Sequence, residues 1–391
     1  MKAVSLSSQN HLSGTRKPRA LDRFAEGLVR RQLSQLEHGS LTVIAGGRKD
    51  VYGDGEGLAV TIQVREADFW SDIAFGGSIG AAEAYMHGAW DCDDLVALVR
   101  MLLRNRHVLD GMEGGAARLT APFQKAFHWV NRNTRDGAKR NIAAHYDLGN
   151  DFFALWLDET MMYSSAIFDS PDMPLHEAQV ARLDAICQRL DLQPGEHLVE
   201  IGTGWGGLAI HAAQHYGVRV TTTTISGEQH RLAQERIAAA GLEDRVELLL
   251  SDYRDLEGRY DKLVSIEMIE AIGWRQYDTY FHKCGDLLKP GGRLLIQAIT
   301  IAETRYEEAK RSVDFIQRYI FPGSNLPSVK AMVNAIAGQS DMMVTGLHDI
   351  GLDYALTLNH WRRGFFERLD EVRALGYSET FIRMWEYYLC Y

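Results

Sequence analysis

The segment Glu200-Ile201-Gly202-Thr203-Gly204-Trp205-Gly206-Gly207 joins a short apolar strand at 197–201 to a helix at 208–215 with no residue to spare. Glycines in such a turn let the main chain reverse tightly and let a ligand come against the backbone. The sequence that follows keeps alternating: strand 218–224, helix, strand 246–250, loop, strand 262–266, helix, the turn Pro290-Gly291-Gly292 and strand 293–299. A helix carrying Leu175, Val180, Leu183, Ile186 and Leu190 precedes the first strand and stops at Pro194-Gly195. This alternation predicts an α/β, Rossmann-like fold: a parallel sheet with right-handed crossovers and ligands beyond the carboxyl ends of its strands.

Two details narrow the ligand. Glu200 stands two positions before the first glycine, where a carboxylate can meet the amino group of a methionine moiety but sits poorly beside a pyrophosphate. The second strand ends in Thr221-Thr222-Thr223-Thr224-Ile225-Ser226-Gly227-Glu228-Gln229, without the immediate terminal acid that holds a NAD ribose. The loop and its setting point to S-adenosylmethionine.

At 391 residues the chain suits two domains. Residues 1–19 read as a flexible tail, polar and without the apolar core of a signal peptide. Residues 20–108 read as a small α+β domain. In its first helix Leu21, Phe24, Ala25, Leu28, Val29, Leu33 and Leu36 share one side, and Arg23, Arg30 and Arg31 lie off it. That makes a core helix with a solvated basic face, or, in the sharper reading, a helix that touches membrane. Strands are expected at 41–45 and 58–64, around a turn at Asp54-Gly55. A helical stretch runs from Gly76-Gly77 to Tyr85, and Asp91 or Asp93 caps a helix at 95–104. The run Asp91-Cys92-Asp93-Asp94 lacks the spacing of a calcium loop, and no metal site is expected. Residues 109–140, with clustered glycines and then basic and aromatic residues, read as a linker, either an ordinary solvated connector or one that contacts lipid headgroups, and 141–391 as the larger domain.

A formal charge of −10 without a strong basic stripe argues against nucleic acid. Four scattered cysteines show neither a disulfide framework nor zinc spacing, which fits a reducing cytoplasm. No apolar run approaches the roughly 20 residues that span a bilayer.

Several strings occur together in one order: Tyr85-Met86-His87-Gly88-Ala89-Trp90-Asp91-Cys92-Asp93-Asp94-Leu95, His145-Tyr146-Asp147-Leu148-Gly149-Asn150-Asp151-Phe152-Phe153, Met162-Tyr163-Ser164-Ser165-Ala166, the glycine loop, Asp252-Tyr253-Arg254-Asp255, and Tyr319-Ile320-Phe321-Pro322-Gly323. In these the chain resembles the cyclopropane-fatty-acyl-phospholipid synthases and their mycolic acid relatives. The resemblance implies a class I methyltransferase fold behind a lipid-binding amino-terminal domain. It also implies a phospholipid substrate reached by peripheral contact with the inner face of the membrane, and a homodimer. Tyr163 and Ser164 would cover the cofactor, and Glu200, Gly202 and Gly204 would hold its methionine end. Thr224, Ile225 and Gln229 would line the ribose and adenosine, and Asp252 and Tyr253 would frame the adenine.

An alkene attacks a sulfonium methyl only when held in line and dry, and leaves a carbocation that aromatic faces stabilise. Tyr163, Tyr319, Tyr354 and Phe321 are candidates for those faces. Closing a three-membered ring then needs a base. The resemblance implies a bound bicarbonate in that role, held by Ser165, Glu270, Gln297, Ile299 and Tyr354. Ser165 stands where the family usually has cysteine, and Gln297 where it has histidine. Without ring closure the same cation gives a methyl- or methylene-branched chain. The family also continues past Tyr387-Tyr388-Leu389 with a last strand, whereas here only Cys390-Tyr391 follow; the sheet exposes an edge if the chain ends there, and a trimmed chain is the equal alternative.

Overall fold

The computed structural model describes residues 20–114 and 148–391. The expected tail, most of the expected linker and the His145-Tyr146-Asp147 end of one string lie outside the described residues. The chain divides into two compact units, and residues Glu379–Tyr391 group with the first, whereas the second ends at Ser378.

In the first unit a sheet of four strands, β1 (Ser40–Ala45), β2 (Arg48–Tyr52), β3 (Ala59–Val64) and β4 (Trp90–Cys92), runs in the order β2-β1-β3-β4. β1 pairs parallel with β3, and the outer pairings are antiparallel. Strand β2 was not expected, because Arg-Lys-Asp-Val-Tyr offers no apolar alternation. It forms because Gly46 and Gly47 both adopt positive φ, 55° and 80°, as a two-residue hairpin turn requires. The expected helical stretch is longer, Asp68–Met86, and kinks at Gly77 (φ 59°).

The apolar side of helix Ala20–Leu33 splits. Ala25, Val29 and Leu33 are buried, as is Leu36 just beyond, while Leu21, Phe24 and Leu28 are 53%, 61% and 38% exposed. Arg30 is not solvated as expected: it ion-pairs with Glu26 (2.8 Å) and Asp50 (2.5 Å) and lies 4.8 Å over the Trp70 ring. Asp94, rather than Asp91 or Asp93, caps helix Leu95–Arg104, accepting from the Ala97 amide. Asp93 accepts from the Thr61 amide, and Asp91 pairs with Arg383 (2.9 Å). Arg383 belongs to helix Glu379–Cys390, which also carries Glu386, acceptor of the Tyr85 hydroxyl at 2.7 Å. By its packing this last helix is part of the first unit, not of the larger domain expected at 141–391.

The second unit is a doubly wound α/β sheet. Strands β5 (His197–Ile201), β6 (Arg219–Thr224), β7 (Val246–Leu250), β8 (Tyr260–Ile266) and β9 (Leu288–Gln297) lie all parallel in the order β7-β6-β5-β8-β9. Alternating side chains feed two cores. Leu198 and Val264 pack with Leu183, Ile186, Leu208 and Ala212 of two helices on one face. Val199, Ile201 and Leu263 pack with Tyr280, Phe281 and Cys284 on the other. Tyr260 pairs with Leu288 and Lys262 with Arg293, so residues 289–292 bulge out as the expected turn. Among the described residues β9 is an edge strand.

Candidate active site

The loop after β5 turns on Gly202, Gly204 and Gly206, at φ 101°, 53° and 86°. The Thr223 carbonyl accepts from the amides of Gly202 (3.1 Å) and Thr203 (3.0 Å), pinning the loop to β6. A Cβ at Gly204 would meet nothing within 4 Å, whereas one at Gly207 would fall 2.5 Å from Met162 Sδ and 2.6 Å from the Thr160 carbonyl oxygen. Gly207 is thus a packing glycine, and Gly204 leaves its backbone open to a ligand. Arg236 holds the loop from behind, donating to the carbonyls of Trp205 (2.8 Å), Thr160 (3.1 Å) and Glu159 (2.9 Å). Asn150 accepts from the Trp205 indole at 2.7 Å, which gives the Gly149-Asn150-Asp151 string a physical role.

Glu200 lies buried on β5, accepting the Thr222 hydroxyl at 2.6 Å, and burial pushes its carboxyl up to about 8. Thr224 donates to the Gln229 side-chain oxygen at 2.9 Å, Ser226 caps helix Gly227–Ala239, and Ile225 lies half-buried between them. Gln229 therefore organises the turn after β6. At the end of β7, Asp252 is clamped by Arg254 at 2.6 and 2.8 Å, and the Tyr253 ring is buried 5.5 Å from Tyr280. The Tyr253 hydroxyl is buried without a protein partner. The Ser164 hydroxyl is buried with no protein partner, and with the open backbone at Gly204 it fits a bound S-adenosylmethionine.

Beyond β8 and β9 the site changes character. Tyr163 lies within an aromatic cluster, 5.3 Å from Phe153, 5.6 Å from Trp156, 5.2 Å from Trp361 and 6.2 Å from Phe321. Tyr354 meets Trp361 edge-on at 6.3 Å, and Tyr319 packs on Phe315 at 5.5 Å. Glu270, on the short helix Ile269–Ile272, accepts the Ile299 amide with one oxygen, and its other oxygen is buried without a partner. Burial, with the neighbouring Glu267 adding to it, pushes its carboxyl up to about 8.

Glu267 went unmarked in the sequence. It follows β8 directly at φ 46°, in the left-handed region that side chains other than glycine, asparagine and aspartate seldom adopt. One carboxylate oxygen accepts from the Ser165 amide (2.9 Å) and from Gln297 Nε2 (2.8 Å). Burial raises its proton affinity, and these two donors, together with Arg182, pull it back. Arg182, also unmarked, is a fully buried guanidinium; burial lowers its proton affinity to about 10, which leaves it cationic at neutral pH. It donates to the Gln179 side-chain oxygen (3.0 and 3.2 Å), and Gln179 in turn donates to the Ser164 carbonyl at 3.0 Å. Its charge attracts Glu267, Asp158 and Glu200. The acid pair Glu267 and Glu270, three positions apart at a strand end, was the one available signal for the first; nothing in the pattern of helix Leu175–Leu190 marks Arg182.

Comparison with known proteins identifies the assembly. The mycolic acid cyclopropane synthetase family model matches residues 133–391. The chain is 41% identical over 324 residues to the tuberculostearic acid methyltransferase UfaA1 of Mycobacterium tuberculosis, covering 81% of this chain and 75% of that protein. It is 39% identical over 336 residues to the cyclopropane-fatty-acyl-phospholipid synthase of Escherichia coli, covering 84% of this chain and 82% of that one. Among solved structures, the cyclopropane synthase MmaA2 from Mycobacterium tuberculosis superposes with a TM-score of 0.60 at 30% identity, covering 64% of this chain and 91% of that one. The mycolic acid cyclopropane synthase CmaA1, complexed with SAH and CTAB, gives 0.59 at 31% identity, with 64% and 90% covered. The glycine loop, the parallel sheet and these matches together make the chain a member of the mycolic acid cyclopropane synthetase family, an S-adenosylmethionine-dependent methyltransferase with a class I Rossmann-like fold.

Proposed function

We propose that this enzyme adds one carbon from S-adenosylmethionine to the cis double bond of an unsaturated phospholipid acyl chain and closes a cyclopropane ring. The observation that carries this reading is the union of a backbone-lined glycine loop with a dry aromatic and carboxylate wall. S-adenosylmethionine supplies an electrophilic methyl group when bound. Gly202 and Gly204 let it approach the main chain, Glu200 supports its methionine end from beneath the loop, and Tyr163 with Ser164 closes over it. Thr224, Ile225 and Gln229 shape the adenosine side, and Asp252 and Tyr253 close the end of β7 as a fixed wall. Around the alkene, Tyr163, Phe321 and Tyr354 exclude water, and the ring faces stabilise the cation left after methyl transfer by about 0.5–2 kcal/mol each. Proton loss from the new methyl carbon closes the ring, with Ser165, Gln297, Ile299 and Glu270 at the place where a base must stand.

A second reading, transfer that ends in a methyl- or methylene-branched chain, is favoured by Ser165 and Gln297, which depart from the family's cysteine and histidine. The likeness to a tuberculostearic acid methyltransferase supports it too. Mass spectrometry of monounsaturated phospholipid vesicles incubated with S-adenosylmethionine tests both. A gain of one carbon with loss of unsaturation supports the ring, a gain with a retained methylene supports the branch, and unchanged acyl mass refutes both.

Lipid access is proposed through the first unit. No helix among the described residues is long and apolar enough to cross a membrane. The exposed Leu21, Phe24 and Leu28 lie beside the exposed Arg23 and Arg31, a pairing suited to the surface of an anionic bilayer. Vesicle co-sedimentation should fall severalfold in Phe24→Glu, and sedimentation of the protein alone tests the implied homodimer.

A further inference from the structure

We infer that Glu267 is the resident base of this site, standing in place of a bound bicarbonate and accepting the proton lost from the newly transferred methyl carbon. The inference rests on the proposed lipid chemistry and deepens it.

Three observations carry it. First, the donors that would hold an added anion are already engaged by the chain's own carboxylates. The Ser165 amide and Gln297 Nε2 converge on one oxygen of Glu267, and the Ile299 amide goes to Glu270. Placing bicarbonate there would break these bonds and bring a second anion beside the Glu267 carboxylate, a costly arrangement in a dry site. The residues present therefore do not fit bicarbonate.

Second, Glu267 is placed at the reacting end. Met268, its chain neighbour, lies against the glycine loop: a Cβ at Gly202 would come 3.4 Å from Met268 Cγ. On its other side Ser165 follows Tyr163 and Ser164, the pair proposed to close over the cofactor. Glu267 is only half-buried, so the residue is not sealed off from a bound molecule.

Third, the two acids are unequal. Burial raises the proton affinity of Glu267, but two donors on one oxygen and the buried Arg182 cation act against it and favour the carboxylate. Glu270 has one donor and a buried oxygen without a partner, the environment of a neutral acid. Of two neighbouring acids, the one with more donors and the nearer cation is the more favoured as carboxylate.

The step balances. The C–H bond of the former sulfonium methyl breaks, and its proton passes to Glu267, which becomes a neutral acid. The electron pair closes the third C–C bond onto the cation or, after a 1,2-hydride shift has moved the cation to the methyl-bearing carbon, forms a double bond to that carbon.

The test uses the full chain, S-adenosylmethionine and vesicles of a monounsaturated phospholipid, in buffer stripped of carbon dioxide or supplied with bicarbonate. Wild type should turn over equally in both. E267Q should lose at least about hundredfold in turnover, the range of a general base, while calorimetry shows S-adenosylhomocysteine still bound. E267G suits the left-handed backbone and vacates both donors; it should be equally slow in stripped buffer and recover severalfold with added bicarbonate, a rescue that a merely structural role would not give. A wild type that requires bicarbonate, an E267Q within about threefold of wild type, or an E267G that binds S-adenosylhomocysteine but is not rescued each overturns the assignment. A wild type that leaves acyl chains unchanged in both buffers fails the lipid reading itself, which separates the two failures.

Discussion

The ends of β5 and β6 and the ends of β8 and β9 are neighbouring rims of one sheet built on opposite principles. At β5 and β6 the chain offers backbone, hydroxyls and a side-chain amide: Gly202, Gly204, Thr222, Thr224 and Gln229, with a single acid sunk beneath them. At β8 and β9 it sets two acids and a guanidinium in a region walled by aromatic rings. The first rim can be filled by any ligand that matches its shape, at little electrostatic cost. The second is strained and charged before any ligand arrives, as befits a place where a cation must form and lose a proton.

Gly204→Val attacks the first rim most directly. A β-branched residue at φ 53° is strained, and its methyls fill the open space beside the loop. Affinity for S-adenosylhomocysteine should fall at least about hundredfold by calorimetry, and unchanged affinity would move the cofactor elsewhere. A smaller effect separates the rims by pH. Glu200 and Glu270 both have carboxyls raised to about 8 by burial, against 4.5 in the unfolded chain. Between those values the folded state holds more protons, so the stability these two acids contribute is full below about 4.5 and is lost as pH rises toward 8. The melting midpoint should drop by several degrees across that window, and E270Q should flatten part of the slope. A midpoint that rises with pH would mean that both acids are ionised in the fold.

Smaller again is the effect of E270Q on chemistry. If Glu270 is the neutral member of its pair, the amide is a near isostere, and turnover should stay within about tenfold with cofactor affinity intact. Collapse of turnover would return Glu270 to the role of anchor for an added base. Least of all, Ser226→Ala removes the cap of helix Gly227–Ala239 and should cost about 1 kcal/mol in chemical denaturation, with little change in turnover.

The first rim was readable because it is local. Glu200 to Gly207 is one uninterrupted string, and its turn, strand and helix follow from residue types in sequence. The second rim is assembled from Ser165, Arg182, Glu267 and Gln297, whose meeting depends on strand order and not on spacing. Resemblance brought Ser165, Glu270, Gln297 and Ile299 into view, but it could not supply Glu267, which has no place in the expected anion site. In the first unit the strand Arg48–Tyr52 escaped notice for a related reason: its residues carry no alternation, and the glycine hairpin before it does the work. The helix at 20–33 showed one broad apolar side, and only the packing divides it into a buried half and an exposed half.

Helix Glu379–Cys390 has a bearing on how the molecule is made. Its Arg383 and Glu386 bind Asp91 and Tyr85, so the first unit is stitched from the two ends of the chain. During synthesis strands β5 to β9 leave the ribosome before that helix does, and domains generally fold as units while they emerge. The amino-terminal unit, though translated before those strands, must therefore wait for this helix before it reaches its native state.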